Sequence, residues 1–294
     1  MILTFDDYEV QAHKLAKALA LPCHTIQRHR FPDGESKLTL PAELPEHVIL
    51  CQSLDQPNEK LLELMLAAKT ARALGAKKLT LVAPYLCYMR QDKAFNPGEV
   101  VSQGIVGGFL ADLFENVITI DPHLHRIERL EQAVPAQNAV TLSATTLMAT
   151  FLQQRVKTSA LPEPVLLGPD MESEQWVSAV AKPQQWTFGV CEKIRSGDQQ
   201  VDIQLPEIDL KNRSVVIVDD VASSGQTLIE ATKKCLANHA KQVDVLVTHA
   251  LFVNAATQNL IDAGVSNIWS TDSVSHESNI VDLSDLLKDA LLKL

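Results

Sequence analysis

Residues 214–227 of the chain read SVVIVDDVASSGQT, and a helical pattern follows from Leu228. The run of Val and Ile before the acidic pair is typical of a strand buried in a parallel sheet. The small hydroxylated residues and Gly225 then predict a tight loop that leads into a helix. Backbone N–H groups and the positive end of the helix converge in such a loop, so it predicts an anion site.

Two carboxylates, Asp219 and Asp220, stand directly before this anion loop. A phosphate site alone does not need them, but a ligand with a phosphate and vicinal hydroxyls would use both features. The phosphate would accept hydrogen bonds from Ser223, Ser224 and Thr227, and the carboxylates would accept from the hydroxyls. Ribose 5-phosphate is such a ligand. The alternative is an ordinary strand–helix turn with a capping serine.

The bulk composition narrows the class of protein. The chain has 294 residues, enough for two domains, and its 26 basic and 36 acidic residues give a net charge of -10. This balance argues against nucleic acid or an anionic membrane as the main partner. The chain has no apolar stretch of membrane-spanning length and no basic signal region at its start. Its scattered cysteines form no CxxC pair, which argues against a zinc site and a disulfide framework and favours the reducing cytoplasm.

Strands and helices alternate along the whole chain, which predicts an α/β fold with mostly parallel sheets flanked by helices. The segment Thr158–Pro164, with two prolines, is the linker candidate between two halves of similar rhythm. The predicted strands are His47–Gln52, Lys78–Ala83, Val117–Asp121, Pro164–Gly168, Thr187–Cys191, Arg213–Asp219, Val243–His249 and Asn267–Ser270. The predicted helices are Tyr8–Ala20, Glu59–Leu74, Val100–Phe114, Ala144–Gln154, Glu174–Ala181, Thr227–Ala237 and one within Leu283–Leu294.

The segment FPDGES, residues 31–36, has the composition of a surface turn. Pro32 and Gly34 favour the turn itself. One interpretation is a surface turn without a role. The other is a purine site, in which Phe31 stacks on the base while Asp33 and Glu35 accept from its exocyclic amine.

Two further motifs directly follow predicted strands. The first is PYLCYMRQDK, residues 84–93, followed by NPGE, residues 96–99. Ligands of open α/β sheets bind at such strand ends, and Arg90 can hold polyphosphate oxygens bidentately. A solvated basic loop is the alternative.

The second motif is DPHLHR, residues 121–126. A carboxylate and an imidazole close together suit a divalent cation or a phosphate. We expect one of His123 and His125 to be a ligand, since their relative direction in a loop cannot be read from their spacing. A loop histidine without a ligand is the alternative.

Two motifs in the second half have comparable chemistry. In EKIRSGD, residues 192–198, Lys193 and Arg195 alternate and Gly197 suggests mobility, so the loop could close over transferring phosphates. A solvated charged loop is the alternative. In GPDMESE, residues 168–174, Asp170 could bind Mg²⁺ or a sugar hydroxyl. The glutamates that follow it could instead be first-turn helix charges.

The order FPDGE, PYLCYMRQDK with NPGE, DPH, GPD, KIR and VDDVASSGQT resembles the ribose-phosphate diphosphokinases, over about Phe31 to Thr227. The resemblance implies two domains of type I phosphoribosyltransferase fold: residues 1–145 with the ATP motifs, and residues 146–294 with the ribose 5-phosphate loop. It also implies ATP and Mg²⁺ as substrate and cofactor. The reaction that the resemblance implies is attack of the ribose 1-hydroxyl on the β-phosphorus of ATP, with AMP leaving.

The resemblance also implies roles for individual residues and a homo-oligomer of at least two subunits. The residues that would bind ATP are Phe31, Asp33, Gly34, Glu35, Arg90 and Gln91. The first four of these would reach the site of a neighbouring subunit. Those associated with the metal are His123 and Asp170, and the catalytic pair is Lys193 and Arg195. The ribose 5-phosphate site comprises Asp219, Asp220, Ser223, Ser224, Gly225, Gln226 and Thr227.

The chain departs from the family pattern in three places. The loop that usually reads DTGGT is SSGQT here, the paired glycines usual after GPD are replaced by MESE, and KRRP is KIRS. These differences indicate a divergent, short subtype. The alternatives are a phosphoribosyltransferase, which would need neither FPDGE nor RQDK, and an inactive regulatory homologue, which would be expected to lose Lys193 or Arg195.

Overall fold

The computed structural model describes residues 1–124, 126–196 and 200–294, and only the backbone at residues 193–196 and 200–202. The strands are β1 Ile2–Thr4, β2 Cys23–Thr25, β3 Gln27–Arg30, β4 Ser36–Thr39, β5 His47–Cys51, β6 Lys78–Val82, β7 Asn116–Ile120, β8 Asn138–Leu142, β9 Pro164–Gly168, β10 Phe188–Val190, β11 Glu192–Ser196, β12 Gln200–Gln204, β13 Ser214–Ala222, β14 Gln242–Ala250, β15 Asn267–Thr271 and β16 Asn279–Val281. The helices are α1 Glu9–Leu19, α2 Pro57–Ala73, α3 Ser102–Leu113, α4 Thr145–Lys157, α5 Glu174–Ala181, α6 Gln226–Ala237, α7 Ala256–Asp262 and α8 Ser284–Leu291.

The chain forms two compact units, each built on a parallel sheet. The first comprises residues 1–143, 273–275 and 283–294, and the second residues 144–272 and 276–282. The sheet orders are β2-β1-β5-β6-β7-β8 and β10-β9-β13-β14-β15-β16. The predicted fold class, two mostly parallel sheets flanked by helices, is confirmed. The predicted domains, residues 1–145 and 146–294, stay a prediction.

The strand of the opening motif lies in the middle of the second sheet. Val215, Val216, Ile217 and Val218 are all completely buried, as a run of β-branched residues between two helix layers requires. The strand β13 continues to Ala222, three residues beyond its predicted end at Asp219, because Asp219 and Val221 still pair with Val247 and His249 of β14. The acidic pair therefore belongs to the strand itself.

Two antiparallel hairpins accompany the parallel sheets. The strand β3 pairs with β4 in the first unit, and β11 pairs with β12 in the second. The sequence predicted neither pair. It also missed the three-residue strands β1, β2 and β16, the strand β8 and the short helix α7, because so few residues do not establish a period.

The segment Thr158–Pro164, predicted as a linker, connects α4 to β9 inside the second unit. The linker prediction is wrong because its prolines have local roles. Pro162 lies between α4 and β9, and Pro164 is the first residue of β9, a position where a strand tolerates proline.

The last helix does not stay with the second unit. The chain leaves β16 and returns to the first unit, where α8 packs against α1. The buried residues of α8 are Leu287 and Ala290, and those of α1 include Leu15 and Ala16. Among the described residues, no helix combines the length and the apolar character needed to cross a membrane.

Candidate active site

The loop of the motif SVVIVDDVASSGQT lies at the carboxyl ends of the strands of the second sheet, beside the point where the strand order reverses. The strands β9 and β13 are parallel neighbours. The chain leaves β9 toward β10 on one side and leaves β13 toward β14 on the other. Open α/β sheets bind ligands in the crevice at the carboxyl ends of such strands. Asp170 follows β9 at this edge, and the loop Ser223–Gly225 follows β13.

The loop after β13 has the backbone geometry of an anion site. Gly225 has φ of 73°, in the left-handed region, and α6 begins at the next residue, Gln226. The Gln226 N–H reaches Ser224 Oγ only over 3.5 Å, a length that leaves this donor weakly bonded. The first turn of α6, a helix of 12 residues, therefore offers backbone N–H groups and the positive end of the helix dipole to an anion.

Backbone hydrogen bonds connect this loop to residues 251–253, which directly follow β14. The N–H groups of Leu251 and Phe252 both donate to the carbonyl of Ala222 over 3.0 Å, and the Val253 N–H donates to the carbonyl of Ser223 over 3.1 Å. The position of the anion loop therefore depends on the conformation of residues 251–253.

Three carboxylates lie together at the same sheet edge. Asp220 is buried and Asp219 is partly buried. Burial raises the pKa of Asp219 well above its ordinary value, and the charges of Asp220 and Asp170 raise it further. Its carboxylate accepts the N–H of Asp220 over 3.0 Å, and the Asp170 carboxylate accepts the N–H of Glu172 over 3.1 Å. The site therefore holds an excess of negative charge that hydroxyl donors or a cation would offset.

In the first unit, the structure brings two sequence motifs together. The Ile120 N–H donates to the carbonyl of Pro84 over 3.1 Å, so the loops after β6 and β7 lie side by side. Arg126, in the DPHLHR motif, donates to Asp92 of the RQDK motif over 2.5 Å. His123 is partly buried in the loop after β7. His125 lies outside the described residues.

In the loop after β6, Arg90 faces solvent, whereas Gln91 is hydrogen-bonded to α3. Arg90 is exposed, so its guanidinium is accessible to a ligand. The side chain of Gln91 accepts from Ser102 Oγ over 3.0 Å, and its carbonyl accepts the Gln103 N–H over 3.2 Å. Gln91 thus ties the loop to the first turn of α3.

The FPDGE motif forms the turn of the hairpin β3–β4. The Phe31 N–H donates to the carbonyl of Glu35 over 2.8 Å, and the Gly34 N–H donates to the carbonyl of Phe31 over 2.9 Å. Gly34 has φ of 95°, which glycine adopts without strain. Phe31 is 40 % exposed, and the ring of His29 meets it edge-on at 4.8 Å. The hairpin therefore holds an aromatic ring at the surface, next to Asp33 and Glu35.

Lys193 and Arg195 lie in β11, opposite Ile203 and Val201 of β12. The sequence predicted a mobile loop here, whereas residues 192–196 are a strand of an antiparallel hairpin. Gly197, to which the prediction attributed the mobility, lies outside the described residues. The hairpin begins directly after Cys191, whose N–H donates to the carbonyl of Gly168 over 2.8 Å. It thus starts at the strand end that also leads to Asp170.

Sequence reasoning missed a charged cluster at the strand-order reversal of the first sheet. Lys60 Nζ lies 2.8 Å from Asp7 Oδ2, 2.7 Å from Asp55 Oδ1 and 3.0 Å from the carbonyl oxygen of Ser53. These residues follow β1 and β5 or lie in the first turn of α2. Their signal is weak, since β1 is only three residues long.

Comparison with known proteins decides the family of the chain. A ribose-phosphate pyrophosphokinase from Saccharolobus solfataricus is 31% identical over 288 residues, which cover 95% of each chain. This chain belongs to the ribose-phosphate pyrophosphokinase family. A second member, from Methanopyrus kandleri, is 31% identical over 280 residues, 95% of this chain and 94% of the relative. Pyrophosphokinase and diphosphokinase are two names for one activity, so the resemblance read from the motifs is confirmed.

Family models and a solved structure agree with this membership. The N-terminal domain of ribose phosphate pyrophosphokinase matches residues 1–116, and the phosphoribosyl transferase domain matches residues 142–286. The crystal structure of phosphoribosylpyrophosphate synthetase from Mycobacterium smegmatis superposes with a TM-score of 0.84 at 19% identity, covering 99% of this chain and 97% of that one. This superposition supports the fold of the pyrophosphokinase chain. The roles of its individual site residues stay predictions.

Proposed function

We propose that this pyrophosphokinase transfers the diphosphoryl group of ATP to the 1-hydroxyl of ribose 5-phosphate. The hydroxyl oxygen forms a bond to the β-phosphorus, and the bond from the β-phosphorus to the oxygen shared with the α-phosphorus breaks. The products are phosphoribosyl diphosphate and AMP, and the hydroxyl proton is released. The observation that carries the proposal is the anion loop after β13 with Asp219 and Asp220 directly before it, in a chain of this family.

Ribose 5-phosphate fits the chemistry of that sheet edge. The phosphate would take the N–H groups at the start of α6, with hydroxyls from Ser223, Ser224 and Thr227 as further donors. The carboxylates of Asp219 and Asp220 would accept from the ribose hydroxyls. Each such hydrogen bond would offset part of the repulsion that raises the pKa of Asp219. Gly225 and Gln226 complete the loop.

Carboxylates of the same edge also suit Mg²⁺ as single ligands beside substrate phosphates, since no three His, Cys, Asp or Glu side chains of the described residues are grouped to hold a metal ion by themselves. Carboxylate oxygens are its preferred protein ligands, and the mutual repulsion of Asp170, Asp219 and Asp220 is what a divalent cation relieves. We assign Asp170 to the metal in this unit and His123 in the first unit. The bound ion would neutralise charge on the ATP phosphates during transfer.

ATP would be held by the motifs of the first unit. The exposed guanidinium of Arg90 can bind phosphate oxygens bidentately, and Gln91 fixes the loop that carries it. The turn Phe31–Glu35 would supply the adenine contacts: Phe31 by stacking, and Asp33 and Glu35 by accepting from the base amine. We assign this turn to the ATP site of a second copy of the chain, which requires at least a homodimer.

Lys193 and Arg195 would act on the transferring phosphates. Two cations on one strand of a hairpin can stabilise negative charge that develops as the diphosphoryl group moves. The negative charge of the transferring phosphates is what such cations would offset. We place the reaction in the cytoplasm, as the scattered cysteines predict.

The test is a product analysis of the purified protein with ribose 5-phosphate, ATP and MgCl₂. We expect AMP and phosphoribosyl diphosphate in equal amounts, resolved by ³¹P NMR and anion-exchange chromatography. Reactions without ribose 5-phosphate, or with ribose in its place, are the controls and should give no AMP. Formation of ADP with a bisphosphorylated ribose would refute the proposal, because it would mean transfer of a single phosphoryl group.

A further inference from the structure

A strained residue supports the anion loop. Phe252 has φ of 33°, in the left-handed region that a residue with a bulky side chain rarely adopts. Its N–H donates to the carbonyl of Ala222, the last residue before the loop. Such a backbone conformation persists only where the surrounding structure holds it in place.

The side chain that meets Phe252 is an imidazole. The rings of Phe252 and His276 are tilted by 47° with their centroids 5.0 Å apart. Phe252 is buried, whereas His276 is partly buried in the segment between β15 and β16. This contact therefore joins the segment before β16 to the strand end that carries the anion loop.

Hydrogen bonds fix the imidazole in its orientation. Its Nδ1 accepts the N–H of Ser278 over 3.1 Å, and the N–H of His276 donates to Asn279 Oδ1 over 2.9 Å. Because Nδ1 accepts, the ring carries its proton on Nε2, which lies 3.5 Å from Thr257 Oγ1 at the start of α7. The ring is thus held mainly by Ser278, whose Oγ also lies 2.8 Å from Nδ1, and Thr257 adds a weak contact from α7.

We propose that His276 is a positioning residue for ribose 5-phosphate, which acts by holding Phe252 and, through its backbone, the anion loop. This inference rests on the proposed function, because it assigns the loop to the sugar phosphate. Thr257 and Ser278 contact the imidazole, and the imidazole packs against the ring of Phe252. The N–H of Phe252 in turn donates to the carbonyl of Ala222, directly before the loop. His276 itself is not assigned a contact with substrate.

The effect should fall on one substrate. Removing the ring leaves the strained turn at Phe252 without its packing partner, so the loop would spend less time in the phosphate-binding conformation. The KM for ribose 5-phosphate should rise, while kcat and the KM for ATP change little, since the ATP motifs lie in the first unit. An aromatic contact of this kind corresponds to about a threefold to tenfold change in affinity.

The experiment is a double-mutant cycle with steady-state kinetics for both substrates. We expect His276→Ala and Phe252→Ala each to raise the KM for ribose 5-phosphate by about threefold to tenfold. The double variant should resemble Phe252→Ala alone, because one residue acts through the other. His276→Phe, which restores a ring, should recover most of the loss. His24→Ala, an exposed histidine of the first unit, is the matched control.

Several outcomes would overturn the proposal. These are effects that add in the double variant, equal rises in KM for both substrates, an unchanged KM in His276→Ala, or no recovery in His276→Phe. Thermal melts of each variant separate loss of folding from loss of positioning, and His276→Gln replaces His276→Ala if the latter does not fold. A wild-type protein that forms no phosphoribosyl diphosphate refutes the proposed function instead. Calorimetric titration with ribose 5-phosphate then tests the positioning role without turnover.

Discussion

The guanidinium of Arg28 donates to the carboxylate of Glu63 over 2.8 Å, and Glu63 is only 2 % exposed. Ser36 Oγ donates to the other oxygen of the same carboxylate over 2.7 Å. Arg28 lies in β3, Ser36 begins β4 and Glu63 lies in α2. A single buried carboxylate therefore ties both strands of the hairpin that carries the turn Phe31–Glu35 to the first unit.

We expect Glu63→Ala to destabilise the protein by about 3 kcal/mol, near the lower end for a broken buried ion pair, because Arg28 is partly exposed. Calorimetric melting measures the change. Glu46→Ala is the matched control, since its pair with Lys77 lies at the surface, with both side chains more than half exposed, and should cost at most about 1 kcal/mol. Equal losses in the two variants would contradict the anchoring role of Glu63.

Asp219→Asn should weaken the binding of ribose 5-phosphate far more than the binding of ATP. A hydrogen bond to a charged group contributes about 1.5–3 kcal/mol, so we expect the KM for ribose 5-phosphate to rise roughly tenfold or more. Steady-state kinetics with each substrate varied in turn gives both constants. Equal rises for the two substrates would remove Asp219 from the ribose site.

The same substitution should stabilise the ligand-free protein. Because burial, Asp220 and Asp170 raise the pKa of Asp219, its folded form binds a proton more tightly than the unfolded chain does. The ionised carboxylate therefore lowers the free energy of unfolding as pH rises from the unfolded pKa through the raised folded pKa. We expect Asp219→Asn to melt at a higher temperature than wild type at pH 8, with a smaller difference at pH 5. Asp209→Asn, at an exposed site, is the control substitution.

Lys193→Ala should reduce kcat on the order of 100- to 1000-fold, while the KM for ATP changes only a few-fold. The reason is that the ammonium would act on charge that develops only in the transition state. Single-turnover and steady-state rates of AMP formation measure the effect. Near-wild-type turnover would show that Lys193 in the hairpin β11–β12 is not catalytic.

Gly225→Ala tests the backbone of the anion loop. A Cβ at this position would lie 3.6 Å from Leu260, an ordinary contact, so the penalty comes from φ of 73°. We expect a loss of roughly 1–2 kcal/mol and a higher KM for ribose 5-phosphate. Gly108→Ala in α3, where a Cβ meets open space, should instead stabilise the protein by about 0.5–1 kcal/mol. A harmless Gly225→Ala would mean that the loop does not need the left-handed residue.

Mixing two inactive variants tests whether the hairpin turn completes a second copy's site. Phe31→Ala would damage the site that this turn enters, and Lys193→Ala the site of its own chain. If the turn crosses between copies, co-expressed variants should form mixed oligomers in which some sites have both residues, with more activity than the two separate preparations combined. No gain despite mixed oligomers in native mass spectrometry would place the turn in its own chain's site.

The central strands and the long helices could be predicted from sequence because each carries a strong local pattern. The run Val215–Val218 is a clear example, since the residues are both β-branched and fully buried. The end of β13 was predicted three residues early. Asp219 is the last residue of the predicted strand, yet the pairing of Val221 with His249 keeps the following backbone in the sheet. Only the partner strand carries that information.

The candidate site was predictable motif by motif, but its contacts were not. Arg126 and Asp92 each stood in a quoted motif, and their pairing depends on β6 and β7 being neighbours. The contact of Phe252 with His276 depends likewise on the position of β16. Local sequence does not give such contacts, because they are set by strand order.

The packing of α8 on α1 has a consequence for synthesis of the chain on the ribosome. The helix α1 is translated before the second unit, yet the helix that covers α1, residues Ser284–Leu291, is translated only after β16. Most of the second unit is therefore synthesised while the first unit still exposes the apolar face of α1. During this interval the nascent chain is open to chaperone binding and to aggregation through that face.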